Sequence, residues 1–365
     1  MKHITLIQIG IGTVGGEVVA QALANRERWR QSRALDVAIG ALVTREGALT
    51  ATDGRTLPDG ILREAVAARR AGLSLRPLVG NGVALEPPQQ AIARLASGST
   101  IVLDAAAGDA TAALDALALE AGAGVVLSNK APLALPAERP LAARLWGAAG
   151  PNGRLRYEAT CGAGLPVIST LRALLDTGDE VIEIQGMLSG TLGAIFSDLA
   201  EGEPFSVAVR TARERGFTEP DPRDDLSGLD VARKALILAR TIGRRADLDE
   251  IAVESLVPPQ LHDVSLDEYL RRCGEQYALM EERDRAAQAS GKILKYLATV
   301  TPDGPLAVGI RAVGTDTVLG ALQGPENIIS IRTRRYDANP LVVIGPGAGA
   351  AVTAAGMLGD VLALA

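Results

Sequence analysis

The sequence predicts an α/β fold, in which a doubly wound parallel sheet is followed by a smaller α+β domain with a mixed sheet. Two observations carry this prediction. Short apolar strands alternate with helical segments over the first 150 residues, and this alternation gives way to a different pattern after Arg154. The length of 365 residues is enough for two domains.

Composition excludes several classes of protein. Hydrophobic residues make up 47 % and charged residues 22 % of the chain, which is typical of a globular fold rather than a disordered chain. The formal net charge of −6 and the 3 % of aromatic residues argue against nucleic acid as a partner. Two cysteines and two histidines do not suffice for a disulfide framework or a zinc module.

Two apolar stretches resemble membrane or targeting segments in their hydrophobicity alone. The run Ile4–Ile9 is too short for a signal peptide and is followed at once by glycines. The uncharged stretch 341–359 contains repeated glycine, so we expect a strand, a turn and a small-residue helix there rather than a membrane span. We therefore expect a cytoplasmic protein without a membrane partner.

The first half of the chain supplies the strands of the predicted parallel sheet. We place strands at Ile4–Ile9, Val37–Val43, Thr100–Asp104 and Gly124–Leu127. Between the last two lies a helical stretch, Ala110–Ala121, which is closed by Gly122. This succession is one clear βαβ unit.

A glycine-rich turn joins the first strand to the first helix. Gly10, Gly12 and Gly15 match the pattern GxGxxG, in which glycines permit a tight turn and close approach of a pyrophosphate to the backbone. Free amides at the start of the helix then face the anion. We predict a Rossmann-type domain whose cofactor contacts include Gly10, Gly12, Thr13, Val14 and Gly15. The alternative is a purely structural turn.

The residues after the second strand bear on the choice of dinucleotide. An acidic residue at this position binds the ribose of NAD, whereas an arginine suits the 2′-phosphate of NADP. Thr44 and Arg45 favour NADP, while Glu46 leaves NAD possible.

The second half of the chain alternates differently. We predict strands at Val181–Leu188, Lys292–Thr301, Leu306–Val313 and Ile328–Arg334, and helices at Leu192–Ala200, Phe205–Arg215 and Gly228–Ile242. The resulting domain division is a dinucleotide-binding domain at 1–152, a substrate-binding, catalytic and dimerisation domain at 153–338, and a C-terminal segment at 339–365 that packs back on the first.

Asp230 and Lys234 lie four residues apart and share one face of a predicted helix. The helix is apolar nearly all round, which implies burial, and buried lysine–aspartate pairs concentrate at functional sites. The alternative is a surface salt bridge.

The acidic loop 217–225 before this helix is either a pocket for a cationic group or a solvated cap. Lys130, after the strand Gly124–Leu127, is either a ligand contact or a solvated lysine.

Several long motifs together resemble the homoserine dehydrogenase family, in both its fungal enzymes and the dehydrogenase half of bacterial aspartokinase–homoserine dehydrogenases. The longest is GFTEPDPRDDLSGLDVARK at 216–234, and others are YEATCGAGLPVI at 157–168, GMLSGT at 186–191 and GAGAAVTAAG at 347–356. The resemblance implies reversible NAD(P)H-dependent reduction of L-aspartate 4-semialdehyde to L-homoserine, on the route to threonine and methionine. It also implies a homodimer.

The resemblance assigns roles to individual residues. Lys234 would be the general acid/base, and Asp230 would bind the reacting end of the substrate. The substrate pocket would include Glu219, Asp225, Gly190 and Thr191. Cofactor contacts would add Ala106, Gly349 and Lys130, with Lys130 also near the substrate. A monovalent cation, sodium, would be bound by Glu158 and the backbone carbonyls of Cys161, Ala163 and Leu165.

The chain departs from the family pattern at two places. Phe217 stands where a substrate-facing tyrosine is common, and the segment Ala105–Ala107 replaces a Thr/Ser-rich one, which leaves only backbone contacts. No kinase half or regulatory domain is expected around the dehydrogenase. A dehydrogenase of another small amino acid or hydroxy acid, or a non-catalytic NAD(P)-binding regulator, are the alternatives.

Overall fold

The computed structural model describes residues 1–365, apart from the side chains of residues 275 and 276. It divides into two compact units: unit 1 is 1–166 with 348–365, and unit 2 is 167–347. These units end at different residues from the three segments predicted from the sequence, and the roles given to those segments stay predictions.

Unit 1 contains a seven-stranded sheet in the order β4-β3-β2-β1-β5-β6-β7. Its strands are β1 (Lys2–Ile9), β2 (Leu35–Thr44), β3 (Gly47–Ala51), β4 (Val83–Glu86), β5 (Thr100–Asp104), β6 (Gly124–Leu127) and β7 (Leu155–Arg156). In the sheet order, the neighbouring strands β2, β1, β5, β6 and β7 are all parallel, as predicted. At one edge this parallel sheet is extended by β3 and β4, which pair antiparallel.

Helices cover this sheet, and strands buried on both faces read as continuous apolar runs. The helices are α1 (Thr13–Arg33), α2 (Asp59–Arg70), α3 (Pro88–Leu95), α4 (Ala112–Glu120), α5 (Pro140–Gly147) and, from the end of the chain, α14 (Ala350–Leu364). Helix α14, from the C-terminal segment, contacts α1 and β6. Its buried Ala354, Met357 and Val361 join the core cluster that contains Ile4 and Leu6.

Unit 2 contains a six-stranded mixed sheet in the order β13-β12-β8-β10-β11-β9. Its strands are β8 (Val181–Met187), β9 (Ala252–Val253), β10 (Lys292–Val300), β11 (Leu306–Gly314), β12 (Asn327–Thr333) and β13 (Leu341–Gly345). The pairs are antiparallel except for β9 with β11. Because β13 pairs with β12, the expectation that the whole segment 339–365 belongs with the first domain is wrong for its strand.

The helices of unit 2 are α6 (Ile168–Asp176), α7 (Gly190–Ala200), α8 (Phe205–Glu214), α9 (Pro222–Leu226), α10 (Leu229–Thr241), α11 (Leu266–Gln276), α12 (Ala278–Gln288) and α13 (Val318–Ala321). Helix α10 packs on β10 and β11 with its apolar residues buried, as its composition predicts. The α/β class and the mixed second sheet are confirmed. Across the described chain, no helix is both long enough and apolar enough to span a membrane.

Candidate active site

The glycine-rich turn leaves the end of β1 and enters α1. A Cβ atom on Gly15 would lie 1.8 Å from the carbonyl oxygen of Gly10, so only glycine fits at this position. Gly12 begins the helix, none of the described side chains caps it, and its first turn carries no acidic residue. The first N–H groups of α1 therefore remain available to an anion, next to Thr13 and Val14.

The backbone of Ala105 and Ala106 lies against this turn. A Cβ atom on Gly10 would come within 2.9 Å of both the Ala105 carbonyl oxygen and the Ala106 nitrogen. The Ala106 N–H donates to Asp104 Oδ1 at 2.8 Å. These residues follow β1 and β5, the neighbouring strands from which the order runs outward in both directions, and ligands of open α/β sheets bind at such a point.

Lys130 follows β6 at the same edge of the sheet. It is half-buried and precedes a short 3-10 helix, Ala131–Ala134. Its neighbour Asn129 donates to Asp104 Oδ2 at 3.0 Å and to the Gly108 carbonyl at 2.7 Å, and accepts from the Ala131 N–H. The sequence reasoning missed Asp104 and Asn129. Their signal was a polar residue at the carboxyl end of an apolar strand.

Arg45 follows β2 and lines an open pocket together with Arg76, which the sequence reasoning did not single out. The same pocket is also lined by Glu46 and Glu86, and the carboxylate of Glu46 is bound by neighbouring residues. This Glu46 carboxylate accepts hydrogen bonds from Ser74 and from the Leu75 N–H, and pairs with Arg69 at 3.2 Å. The Ser74 hydrogen bond lowers the pKa of Glu46. Glu46, the acid that kept NAD possible as the cofactor, is thus bound by the loop after α2.

Lys234 lies one turn into α10. Its Nζ donates to the Leu188 carbonyl at 2.6 Å and pairs with Asp230 Oδ2 at 2.9 Å. The lysine side chain is 11 % exposed, whereas that of Asp230 is 47 % exposed. The pair is therefore buried at the lysine and open at the aspartate, which is unlike a surface salt bridge.

The acidic loop before α10 meets the start of α7. Thr191 Oγ lies 2.9 Å from Asp225 Oδ1 and is hydrogen-bonded to the Phe217 carbonyl, while the Glu219 N–H donates to Asp225 Oδ2 at 2.8 Å. Burial raises the pKa of Asp225, and the nearby charges of Glu219 and Asp230 raise it further. We call Glu219, Asp225 and Asp230 the acidic set. The predicted substrate residue Thr191 is bound to Asp225 in this set, and Gly190 lies beside it at the start of α7.

Phe217 contributes to this set through its backbone. Its carbonyl accepts from Thr191, and its ring is 39 % exposed. The hydroxyl that a tyrosine would bring is absent here.

The predicted cation ligands occupy one short segment of unit 1. Glu158 and Cys161 are buried in and just after a 3-10 helix, and the Cys161 N–H donates to the Glu158 carbonyl. Ala163 has a φ of 55°, so the chain turns sharply before Leu165. Among the described residues, no group of three or more His, Cys, Asp or Glu could hold a metal. One carboxylate with carbonyls is instead an oxygen donor set, which suits a hard cation.

Gly349 immediately precedes α14, with a φ of 118°. It stands in unit 1 with the glycine-rich turn, while Lys234 and the acidic set stand in unit 2.

A model of one family, described as homoserine dehydrogenase, matches residues 166–362. The chain belongs to the homoserine dehydrogenase family. The homoserine dehydrogenase of Paracoccidioides brasiliensis is 39 % identical over 289 residues, which cover 75 % of this chain and 77 % of that protein. The chloroplastic bifunctional aspartokinase/homoserine dehydrogenase 1 of Arabidopsis thaliana is 45 % identical over 211 residues, which cover 57 % of this chain.

The chain spans a small part of such bifunctional relatives, 23 % of the Arabidopsis protein. Among solved structures, a Candida auris protein of unknown function is 31 % identical, with a TM-score of 0.86 over 100 % of this chain and 98 % of that one. A hyperthermophilic archaeal homoserine dehydrogenase in complex with NADPH shares the fold, with a TM-score of 0.73, 22 % identity, and coverage of 99 % and 97 %. The predicted homoserine dehydrogenase family membership is confirmed.

Proposed function

We propose that this protein catalyses the NAD(P)H-dependent reduction of L-aspartate 4-semialdehyde to L-homoserine. The observation that carries the proposal is the buried Lys234 ammonium, fixed between Asp230 and the Leu188 carbonyl beside an acidic set. The names of the curated relatives support it.

Reducing the aldehyde places a hydride on carbon and a proton on oxygen. The reduced nicotinamide, when bound, supplies the hydride. Lys234 donates the proton to the developing alkoxide and is left neutral, to be recharged from water. Asp230 pairs with the same Nζ and keeps it in one position. In the oxidation of homoserine Lys234 would take the proton from the substrate hydroxyl, and because that direction releases a proton its equilibrium is favoured at alkaline pH.

The acidic set supports recognition of an amino acid. A substrate ammonium would be attracted by Asp225 and Glu219, and its presence would offset the repulsion between these carboxylates. Gly190 and Thr191 would line the same pocket, with the Thr191 hydroxyl bound to Asp225.

The turn of unit 1 fits a dinucleotide, because a Cβ would fill the space at Gly15 and the start of α1 is uncapped by described side chains. We assign Gly10, Gly12, Thr13, Val14, Gly15, Ala106, Lys130 and Gly349 to cofactor binding. NADP is the preferred form in this proposal, since Arg45 and Arg76 share a pocket and Glu46 is bound by Ser74 and Leu75. The archaeal neighbour was solved with NADPH, which supports the cofactor class.

Two further parts of the proposal concern a bound ion and the oligomeric state. A sodium ion bound by Glu158 and the carbonyls of Cys161, Ala163 and Leu165 would serve a structural role. The protein would act as a homodimer.

The test is the change in nicotinamide absorbance when purified protein is given L-homoserine at alkaline pH, with NADP and NAD in separate runs. We expect turnover, and a faster rate with NADP. Lys234→Ala should lower kcat by about 10²- to 10⁴-fold, the usual contribution of a general acid, without weakening NADPH binding. The control is Lys292→Ala, an exposed lysine at the start of β10, which should match the wild type.

L-threonine and L-serine in the same assay address the alternatives. Preferred turnover of either would assign a different substrate. Tight NADPH binding without turnover of any of the three would favour a regulator. Near-normal turnover in Lys234→Ala would remove the lysine from the reaction.

A further inference from the structure

A buried carboxyl group in unit 1 has no donor to bind. Asp115 lies on α4 with 0 % exposure, and both of its carboxyl oxygens lack a hydrogen-bond partner among the described donors. A carboxylate in this state would bear the full cost of leaving water. No motif marks Asp115, because it is an isolated acid in an alanine- and leucine-rich helix.

The group beside it, Asp104, is in the opposite situation. It also has 0 % exposure, yet it accepts hydrogen bonds from the Ala106 N–H at 2.8 Å, Thr111 Oγ at 2.6 Å and Asn129 Nδ2 at 3.0 Å. Three donors stabilise a charged carboxylate. Burial raises the pKa of both aspartates. The hydrogen bonds hold back the rise at Asp104, whereas the charge of Asp104 adds to the rise at Asp115.

Among the described residues, burial and the charge of Asp104 account for the raised pKa of Asp115. The elements that pack on α4 are α3, α5, β5 and β6. Apart from Asp104, their only charged residues are Arg94, which is paired with Glu86, and Arg144, which is paired with Glu120 at the far end of α4. A protonated Asp115 can donate to the neighbouring Asp104, which avoids two buried like charges and leaves Asp104 with its three donors.

We propose that Asp104 and Asp115 form a buried acid pair that shares one proton and acts as a positioning pair for the cofactor-side loops. Asp104 joins the loop after β5, through Ala106 and Thr111, to the turn after β6, through Asn129. The first loop lies against Gly10, and the second carries Lys130. The neutral Asp115 keeps Asp104 charged and in place. The inference rests on the proposed function for its kinetic consequence only.

The pair predicts an asymmetric response to amide substitution. Asp115→Asn keeps a neutral donor to Asp104, whereas Asp115→Leu removes it, and Asp104→Asn replaces an acceptor of three hydrogen bonds. We expect Asp115→Leu and Asp104→Asn each to raise KM for NADP and to lower kcat. In each variant kcat/KM should fall by about 10²-fold, as it does when a loop is displaced by about 1 Å. Asp115→Asn should keep kcat/KM within a few-fold of the wild-type value. Glu120→Gln, on the exposed end of α4, is the matched control.

The shared proton is measured directly by carbon-13 NMR of the aspartate carboxyls, assigned with these variants, between pH 4 and 9. One carboxyl, absent in Asp115→Asn, should titrate well above the ordinary range of an aspartate. This readout and the Kd for NADPH require no turnover, so they test the pair even if homoserine is not the substrate.

The sign for stability follows from the raised pKa of Asp115. The protonated form is favoured on folding, so wild type loses stability as pH rises above the ordinary range of aspartate, near 4, and Asp115→Asn does not. Titration of both carboxyls near pH 4 would overturn the proposal. So would equal kinetic losses in Asp115→Asn and Asp115→Leu.

Discussion

Asp225 stands under two opposing influences. It accepts from the Glu219 N–H and lies within hydrogen-bonding distance of Thr191, which favour its charged form, yet burial and the charges of Glu219 and Asp230 raise its pKa. A bound ammonium would add the positive charge that the acidic set lacks. The substrate would therefore hold Asp225 ionised, and the free protein would lose this charge earlier than usual on acidification.

We expect KM for L-homoserine to rise as pH falls, beginning above the ordinary range of an aspartate, near 3.9. The raised pKa means that Asp225 gains its proton first and then no longer attracts the ammonium. Asp225→Asn should show a high KM at every pH and no such rise. The exposed neighbour Asp224→Asn is the control. An identical pH profile in Asp225→Asn and wild type would contradict the assignment.

The residues of the site were predictable to different degrees. Asp230 and Lys234 are four apart on one helix, so their pairing follows from helical geometry. Asp104 and Asp115 stand on a strand and a helix, and only the packing of α4 on β5 brings them together. The contact of Thr191 with Asp225 likewise depends on tertiary structure, although both were assigned to the substrate pocket by resemblance.

At the scale of elements, α10 depends on how it begins. Gly228, before its first residue, has a φ of 74°, and a Cβ there would lie 2.1 Å from the Tyr296 hydroxyl. That hydroxyl donates to the Glu254 carbonyl at 2.8 Å. The start of the lysine-bearing helix is thus fixed against β10 by a glycine.

Gly228→Ala should destabilise the protein by about 3 kcal/mol, from left-handed strain of about 1–2 kcal/mol and from displacement of Tyr296. Gly243→Ala, at the other end of α10, is matched. Its φ is 87° and nothing lies within 4 Å of its Cβ, so we expect the strain alone. Urea unfolding followed by far-ultraviolet circular dichroism compares them. Equal losses would mean that Tyr296 moves freely.

Two of the strands that the sequence analysis missed, β3 and β4, share a physical cause. β3 and β4 are short, and GALTA and VALE lack a clear alternation of apolar and polar residues. Their pairing is set by the turn at Arg45–Glu46, which brings β3 back antiparallel to β2. Strands with continuous runs of large apolar residues, such as β1 and β5, were predicted because burial on both faces leaves a strong signal.

For the whole molecule, the glycine-rich turn and Lys234 lie in different compact units. We expect NADPH to slow hydrogen exchange at the turn and at the loops after β5 and β6, all in unit 1. L-Homoserine should slow exchange at 217–234 and at the start of α7, in unit 2. Bound ligand protects the backbone that it contacts or orders.

Mass-spectrometric exchange measurements with each ligand alone distinguish these regions. Adenosine 2′,5′-bisphosphate is the control, since it should protect the pocket of Arg45 and Arg76 but not 217–234. Protection of 217–234 by this nucleotide, or of the glycine-rich turn by homoserine alone, would contradict the roles given to the units.

The two-part make-up of unit 1 also constrains biosynthesis. Residues 1–166 leave the ribosome without α14, whose Ala354, Met357 and Val361 complete their core. All of unit 2 is synthesised in between, which takes about 10 to 40 s at roughly 5–20 residues per second. Unit 2, being continuous, can close first. Throughout that interval the nascent unit 1 leaves exposed the side of α1 on which α14 later packs, and chaperones act on such apolar surfaces. Unit 1 therefore completes its core last.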